Sequence, residues 1–176
     1  MGGVVRQAGA VTIASVVLCA PAPGGSAAAW LDEAEAALVL EGVQVVRPAV
    51  PPDDGDDEPA RARTAHWVAH TALGVGISGV PAPVMLVACG GASALLPALG
   101  FAQRAARRPV GRYLMVGGPA PGPAGGQDWP DAPVTYVLAP DASDEEREAA
   151  TTARLRGWDV VTGDPLAAVL AAVSPS

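Results

Sequence analysis

Two kinds of apolar block alternate along the chain. Short runs rich in Val, Leu and Ile, such as VTIASVVLC at residues 11–19 and VMLVA at 84–88, show no polar alternation, which fits strands covered on both faces. Between such runs lie longer stretches with helical spacing. Over residues 27–40, Trp30, Leu31, Ala34 and Leu38 fall on one side of a helix and Asp32, Glu33 and Glu35 on the other. Gly42 stops that helix. The pattern predicts strands at residues 11–19, 43–47, 84–88, 112–116, 134–138 and 160–161, and helices at 27–40, 61–73, 93–106, 145–156 and 165–173. Residues 48–59 (PAVPPDDGDDEP) and the Pro/Gly-rich residues 117–130 read as loops. Alternation of this kind over a single domain, residues 1–176, predicts an α/β fold: a mostly parallel six-stranded sheet with helices on both faces. Ligands of such sheets bind at the carboxyl ends of the strands, so the loops after each strand are where function is sought.

With 176 residues the chain is long enough for one domain with a real core. Half of the residues are apolar but only 4% are aromatic, so alanine and small aliphatics build that core. It suits close helix-on-sheet packing better than a large aromatic ligand cage. A formal net charge of −7 argues against a nucleic-acid partner. The basic group Arg104, Arg107 and Arg108 ends a predicted helix, where positive charge favours the helix dipole. Two cysteines, Cys19 and Cys89, are too few for a disulfide-stapled scaffold, so a reducing cytoplasm is the default compartment. The apolar run at residues 8–20 is similar to a short signal peptide but offers poor cleavage sites, and it is better read as a buried strand. No run reaches membrane-spanning length, and no membrane partner is expected.

The stretch MLVACGGASALLPALG, residues 85–100, reads as a buried strand entering a helix through a tight glycine turn. Together with VVLCAPAPGGSAAAWLDEAEAALVLEGVQVVRP, RRPVGRYLMVGGPAPGP and DWPDAPVTYVLAPDASDEEREAATTARLRGWDVV, it resembles small actinobacterial members of the α/β-hydrolase superfamily, in order and spacing, from about residue 11 to 161. The resemblance implies a truncated α/β-hydrolase fold without a cap domain and without the two N-terminal strands of a full member. It also matches residues 85–100 to the nucleophile strand and elbow, a G-x-S-x-G type of turn. Cys89 then precedes the nucleophile position, Gly90 occupies it and Gly91 follows it. The family's acid corresponds to Asp141 or Asp144 after the fifth strand, or alternatively to Gly117 after the fourth. Its histidine base belongs after the last strand, where the chain has Thr162, Gly163 and Asp164. The histidines of the chain, His66 and His70, lie on the second helix. In the oxyanion-side loop, Pro21 and Pro23 remove N–H donors. The resemblance thus implies a hydrolase framework with a degenerate catalytic triad.

Other residues offer chemistry, each beside a plainer structural role. Cys89 becomes a nucleophile if the elbow register shifts by one, since a thiolate at a helix N-terminus is favoured; otherwise it is a small buried side chain. Ser93 is a second candidate nucleophile, with capping of the helix as the favoured reading. Cys19 and Cys89 end neighbouring strands, leaving a disulfide or a weak two-thiol metal pair open. His66 and His70 stand at i and i+4, but Trp67 replaces the glutamate of a zinc protease motif, so they read as the polar flank of a packed tryptophan. The acids at 53, 54 and 56–58 lack calcium-loop spacing. No metal or cofactor is expected. Trp129 is read either as an apolar lid or as a loop anchor.

The expected role is therefore a non-hydrolytic protein that binds a small molecule or a protein partner through Gly24, Gly25, Cys89, Gly90, Gly91 and Trp129. By analogy of fold alone, a place in natural-product tailoring fits. The alternatives are an isomerase, cyclase or lyase using Asp141 or Asp144, a hydrolase with Cys89 or Ser93 as nucleophile, and a homo-oligomeric structural role.

Overall fold

A computed structural model describes residues 12–51, 59–122 and 129–174. The N-terminal residues 1–11, the acidic run 53–58 and residues 123–128 of the second long loop lie outside the described residues.

Six parallel strands form one sheet: β1 (Ser15–Leu18), β2 (Gln44–Val46), β3 (Val84–Cys89), β4 (Val110–Val116), β5 (Val134–Leu138) and β6 (Asp159–Thr162), in the spatial order β2-β1-β3-β4-β5-β6. The unbroken apolar runs divide by alternation onto its two faces. Val17, Leu86, Tyr113 and Tyr136 pack beneath α2 (Ala60–Ser78), α3 (Leu96–Ala105) and α4 (Asp144–Leu155), which contribute Trp67, Leu96, Leu99 and Ala150. Val16, Leu18, Met85, Val87 and Leu114 face the other way, against Leu31 and Leu38 of α1 (Trp30–Leu40) and Val169 of α5 (Pro165–Val173). Both faces are thus covered, as the absence of polar alternation in the strands requires. The alanine-rich composition serves this closeness. Tyr113 packs under Gly100 of α3 at a point where a β-carbon would overlap the tyrosine hydroxyl.

Two boundaries differ from the sequence pattern for local reasons. The second helix continues past residue 73 to Ser78, through Gly74 and Gly76, which look like breakers in the sequence. Gly74 is a point of close approach, where a β-carbon would lie 3.2 Å from Cβ of Pro48. The third helix begins earlier than residue 93 but as a 3₁₀ turn, Gly90–Leu95, before the α-helix proper starts at Leu96.

Candidate active-site elbow

The strand order reverses between β1 and β3, since β1 leads to β2 on one side and β3 to β4 on the other. In open α/β sheets such a reversal is the place where ligands bind, at the carboxyl ends of the two strands. β3 ends at Cys89, and the chain turns at Gly90 with φ +52°, in the left-handed region, directly into the 3₁₀ turn. The loop after β1 borders it: the Cys19 N–H donates to the Val87 carbonyl (2.9 Å), and the Ala22 methyl lies 3.3 Å from where a β-carbon of Gly91 would sit. Trp67 of α2 fixes this loop, its Nε1 donating to the Pro21 carbonyl at 2.8 Å. The loop after β4 borders the elbow on the other side. Gly118 is pressed so closely onto Gly90 that a β-carbon on Gly118 would overlap the Gly90 carbonyl group and lie 2.7 Å from its Cα. Nothing lies within 4 Å of where a β-carbon of Gly90 would point.

Three polar side chains hold the Gly117–Gly118 segment in place. Ser93 Oγ donates to the Gly117 carbonyl at 3.0 Å, with a longer contact of 3.4 Å to the Ala88 carbonyl. The Tyr136 hydroxyl donates to the Gly118 carbonyl at 2.7 Å. Glu146 accepts from the Gly118 N–H at 3.2 Å through Oε1 and from the Ser143 N–H at 2.9 Å through Oε2. The expectation that Ser93 caps the helix is therefore corrected: lying inside the 3₁₀ turn, the buried hydroxyl acts as a donor and ties the elbow to the neighbouring loop. Glu146 has no counterpart among the residues singled out from sequence. Its signal was present as S-x-x-E, Ser143 to Glu146, which forms a capping box at the start of α4.

Hydrogen bonds from the Ser143 N–H, and then from the Gly118 N–H, hold the Glu146 carboxyl below its ordinary value, against the opposing effect of burial. A carboxylate with a lowered folded-state pKa stabilises the fold above its unfolded value and loses that contribution as pH falls through the folded value. Urea titrations of wild type and Glu146→Gln should therefore differ most above pH 4.5, the ordinary value, and converge in more acidic solution. A gap that stays constant or widens on acidification would show that the charge of Glu146 is not what holds the loop.

No family model and no curated protein sequence matches this chain. Solved structures do. A crystal structure assigned to the hydrolases of the α/β superfamily, from Xanthomonas campestris pv. campestris, superposes with a TM-score of 0.57 at 18% identity, over 91% of this chain and 94% of that one. The NocB thioesterase domain, in a covalent complex with a fluorophosphonate nocardicin G analogue, superposes with a TM-score of 0.53 at 17% identity, over 90% of this chain and 87% of that one. The fold is that of the α/β hydrolases.

In the α/β-hydrolase fold a nucleophile stands on the strained turn between the elbow strand and its helix. This α/β-hydrolase-like chain places glycine there, and the remaining candidates scatter. Cys89 is half-buried, and burial pushes its thiol up to about 12, the opposite of what a reactive thiolate needs. Cys19 is raised further, by burial first and then by Cys89. Both are free thiols, so no disulfide joins them, and Cys19 packs in the cluster on one face of the sheet while Cys89 packs against the cluster on the other. Asp141 is exposed, and Asp144 is fully open to solvent, 2.5 Å from Arg147 on the same helix. The carboxylate that reaches the elbow loop is Glu146 instead. Asp164, after β6, caps α5 by accepting from the Ala167 N–H at 3.2 Å.

Gly24 and Gly25 sit in an exposed turn beyond Ala22. Trp129 is an anchor and not a lid. It packs edge-on against Tyr113 and Trp158, each at 5.4 Å, by the amino-terminal ends of β5 and β6, at the far end of the sheet from the elbow. His66 and His70 stack edge-to-face at 6.2 Å. Among the described residues no three of His, Cys, Asp and Glu gather as a metal site would require, and no helix is long and apolar enough to cross a membrane. What the elbow can offer is backbone: Gly90 and Gly91 open the 3₁₀ turn, where the first N–H groups have no partner within the turn itself.

Proposed function

We propose that this chain is a non-hydrolytic α/β-hydrolase-like protein that binds a small molecule bearing a carbonyl or carboxylate group at the elbow, as a pseudoenzyme in a tailoring or biosynthetic setting. One observation carries this reading. The vertex residue, Gly90, keeps the left-handed turn and faces open space, yet has no side chain to acylate. The polar groups beside the elbow are engaged in holding backbone: Ser93 on Gly117, and Glu146 on Gly118 and Ser143. An acyl-enzyme mechanism needs a nucleophile with a base beside it. Among the described residues, Ser93 and Glu146 are bonded to backbone instead.

The thioesterase neighbour forms a covalent complex with a fluorophosphonate. The purified protein is expected to form none. Incubation with a fluorophosphonate reagent followed by intact-mass spectrometry should leave its mass unchanged, and hydrolysis of short and medium acyl esters and thioesters should stay at the buffer rate. Cys89→Ala and Ser93→Ala variants run alongside identify the nucleophile if an adduct or turnover appears, and that result would overturn the proposal.

A further inference from the structure

The charges of this acidic chain are segregated. Residues 60–127 hold six of the eleven arginines and none of the eighteen carboxylates, and the chain contains no lysine. α2 and α3 lie inside that stretch and pack side by side on one face of the sheet. Their outer surface carries large apolar side chains in the open: Leu73 and Ile77, one turn apart on α2, are 61% and 77% exposed, and Phe101 on α3 is 63% exposed. Arginines are interleaved with them. Arg104 stands over the Phe101 ring at 5.9 Å and pairs with Asp131 at 3.5 Å. Arg108 reaches across to α2, its guanidinium 3.8 Å from where a β-carbon of Gly76 would sit, beside Ile77 and one turn from Leu73.

Arg107 adds an independent observation. It ends α3 with φ +57°, and among the described residues it is the non-glycine residue with positive φ. The Arg107 N–H donates to the Arg104 carbonyl and the Arg108 N–H to the Gln103 carbonyl, both at 2.9 Å, the paired bonds of a Schellman ending. After α1, α2 and α4 the chain puts Gly42, Gly79 and Gly157 in the left-handed conformation. α3 puts an arginine there, against the steric preference of any residue with a β-carbon. The left-handed conformation at Arg107 carries a steric cost that a glycine would avoid.

We propose that the α2–α3 face docks an acidic amphipathic helical segment of a partner protein. The apolar stripe of such a segment covers Leu73, Ile77 and Phe101, and its carboxylates meet Arg107 and Arg108, whose planar forks suit bidentate pairing. A second copy of this chain fits less well, since a two-fold axis through the patch would set the same arginines against each other. An anionic bilayer would extend beyond the patch and meet the acidic remainder of a chain of net charge −7, whereas a single helix covers the basic face alone.

The test uses a dye-labelled peptide of glutamate and leucine with its leucines on one helical face, and a shuffled peptide of the same composition, titrated with the full chain and followed by fluorescence anisotropy. Wild type should bind the ordered peptide about tenfold more tightly than the shuffled one, and less tightly as salt rises. Arg107→Gly relieves the left-handed conformation, so it should melt roughly 2–4 °C higher while losing about tenfold in affinity. The double variant Ile77→Ser, Phe101→Ser should keep its circular dichroism spectrum and lose the preference for the ordered peptide. Equal binding of the two peptides, or Arg107→Gly binding as wild type does, would overturn the proposal. So would tighter association with phosphatidylserine vesicles than with the peptide, or a wild-type dimer in sedimentation that the double variant abolishes, since these assign the face to a membrane or to a second copy.

Discussion

Gly118→Ala is expected to lower folding stability by at least about 3 kcal/mol, from strain at a left-handed residue together with overpacking against backbone. Gly118 has φ +75°, and an added β-carbon would overlap the carbonyl group of Gly90. Flexible side chains can swing away from a new methyl group, but backbone cannot. Nor can Gly118 itself retreat, because Tyr136 holds its carbonyl and Glu146 its N–H. Gly122→Ala in the same loop is the control, since nothing lies within 4 Å of its β-carbon position. Urea denaturation should show a large drop in midpoint for Gly118→Ala and almost none for Gly122→Ala. Similar midpoints for the two would mean that the contact between Gly90 and Gly118 is not a rigid one.

The second large effect is expected at Trp67. Its indole is 1% exposed and packed among Val17, Leu86 and Leu96, so Trp67→Ala should cost about 3–5 kcal/mol through lost burial and an unfilled cavity. Trp67→Phe separates packing from polarity: most of the apolar volume stays, but the Pro21 carbonyl loses its donor, a change worth about 1–2 kcal/mol. Denaturation gives both magnitudes. Amide exchange should also quicken in the loop after β1 in Trp67→Phe, because the indole N–H is what ties that loop to α2. A Trp67→Phe protein as stable as wild type, with unchanged exchange there, would reduce Trp67 to a space-filling role.

Periodicity made the layers of this protein legible. Runs such as VMLVA have no polar alternation because helices cover both faces, and the alternation of strand and helix leaves a parallel sheet as the arrangement that buries them. The place of the elbow was legible too, since a β-branched run followed by two glycines and a helix says where a strand must turn sharply. What the surrounding side chains do was not. Ser93 looks like a cap by position, but its hydroxyl serves Gly117, 24 residues away. Glu146 lies three residues into a capping box, a local role that gives no hint of the Gly118 N–H 28 residues before it. Trp129 sits in the loop after β4, yet that loop returns to the amino-terminal end of the sheet, so position in sequence did not decide at which end its indole would pack. Hydrogen bonds and ring contacts between distant residues leave no periodic trace.

The contact between Gly90 and Gly118 also decides which residue of the elbow is sterically constrained. Residue 90 has open space beside it, with nothing within 4 Å of where a β-carbon would sit. The stricter demand falls on residue 118, which no substrate need touch but which admits no side chain. Here a glycine pair closes β4, and Glu146 in the first turn of α4 receives the Gly118 N–H, so the constraint is built from backbone on one side and a carboxylate on the other.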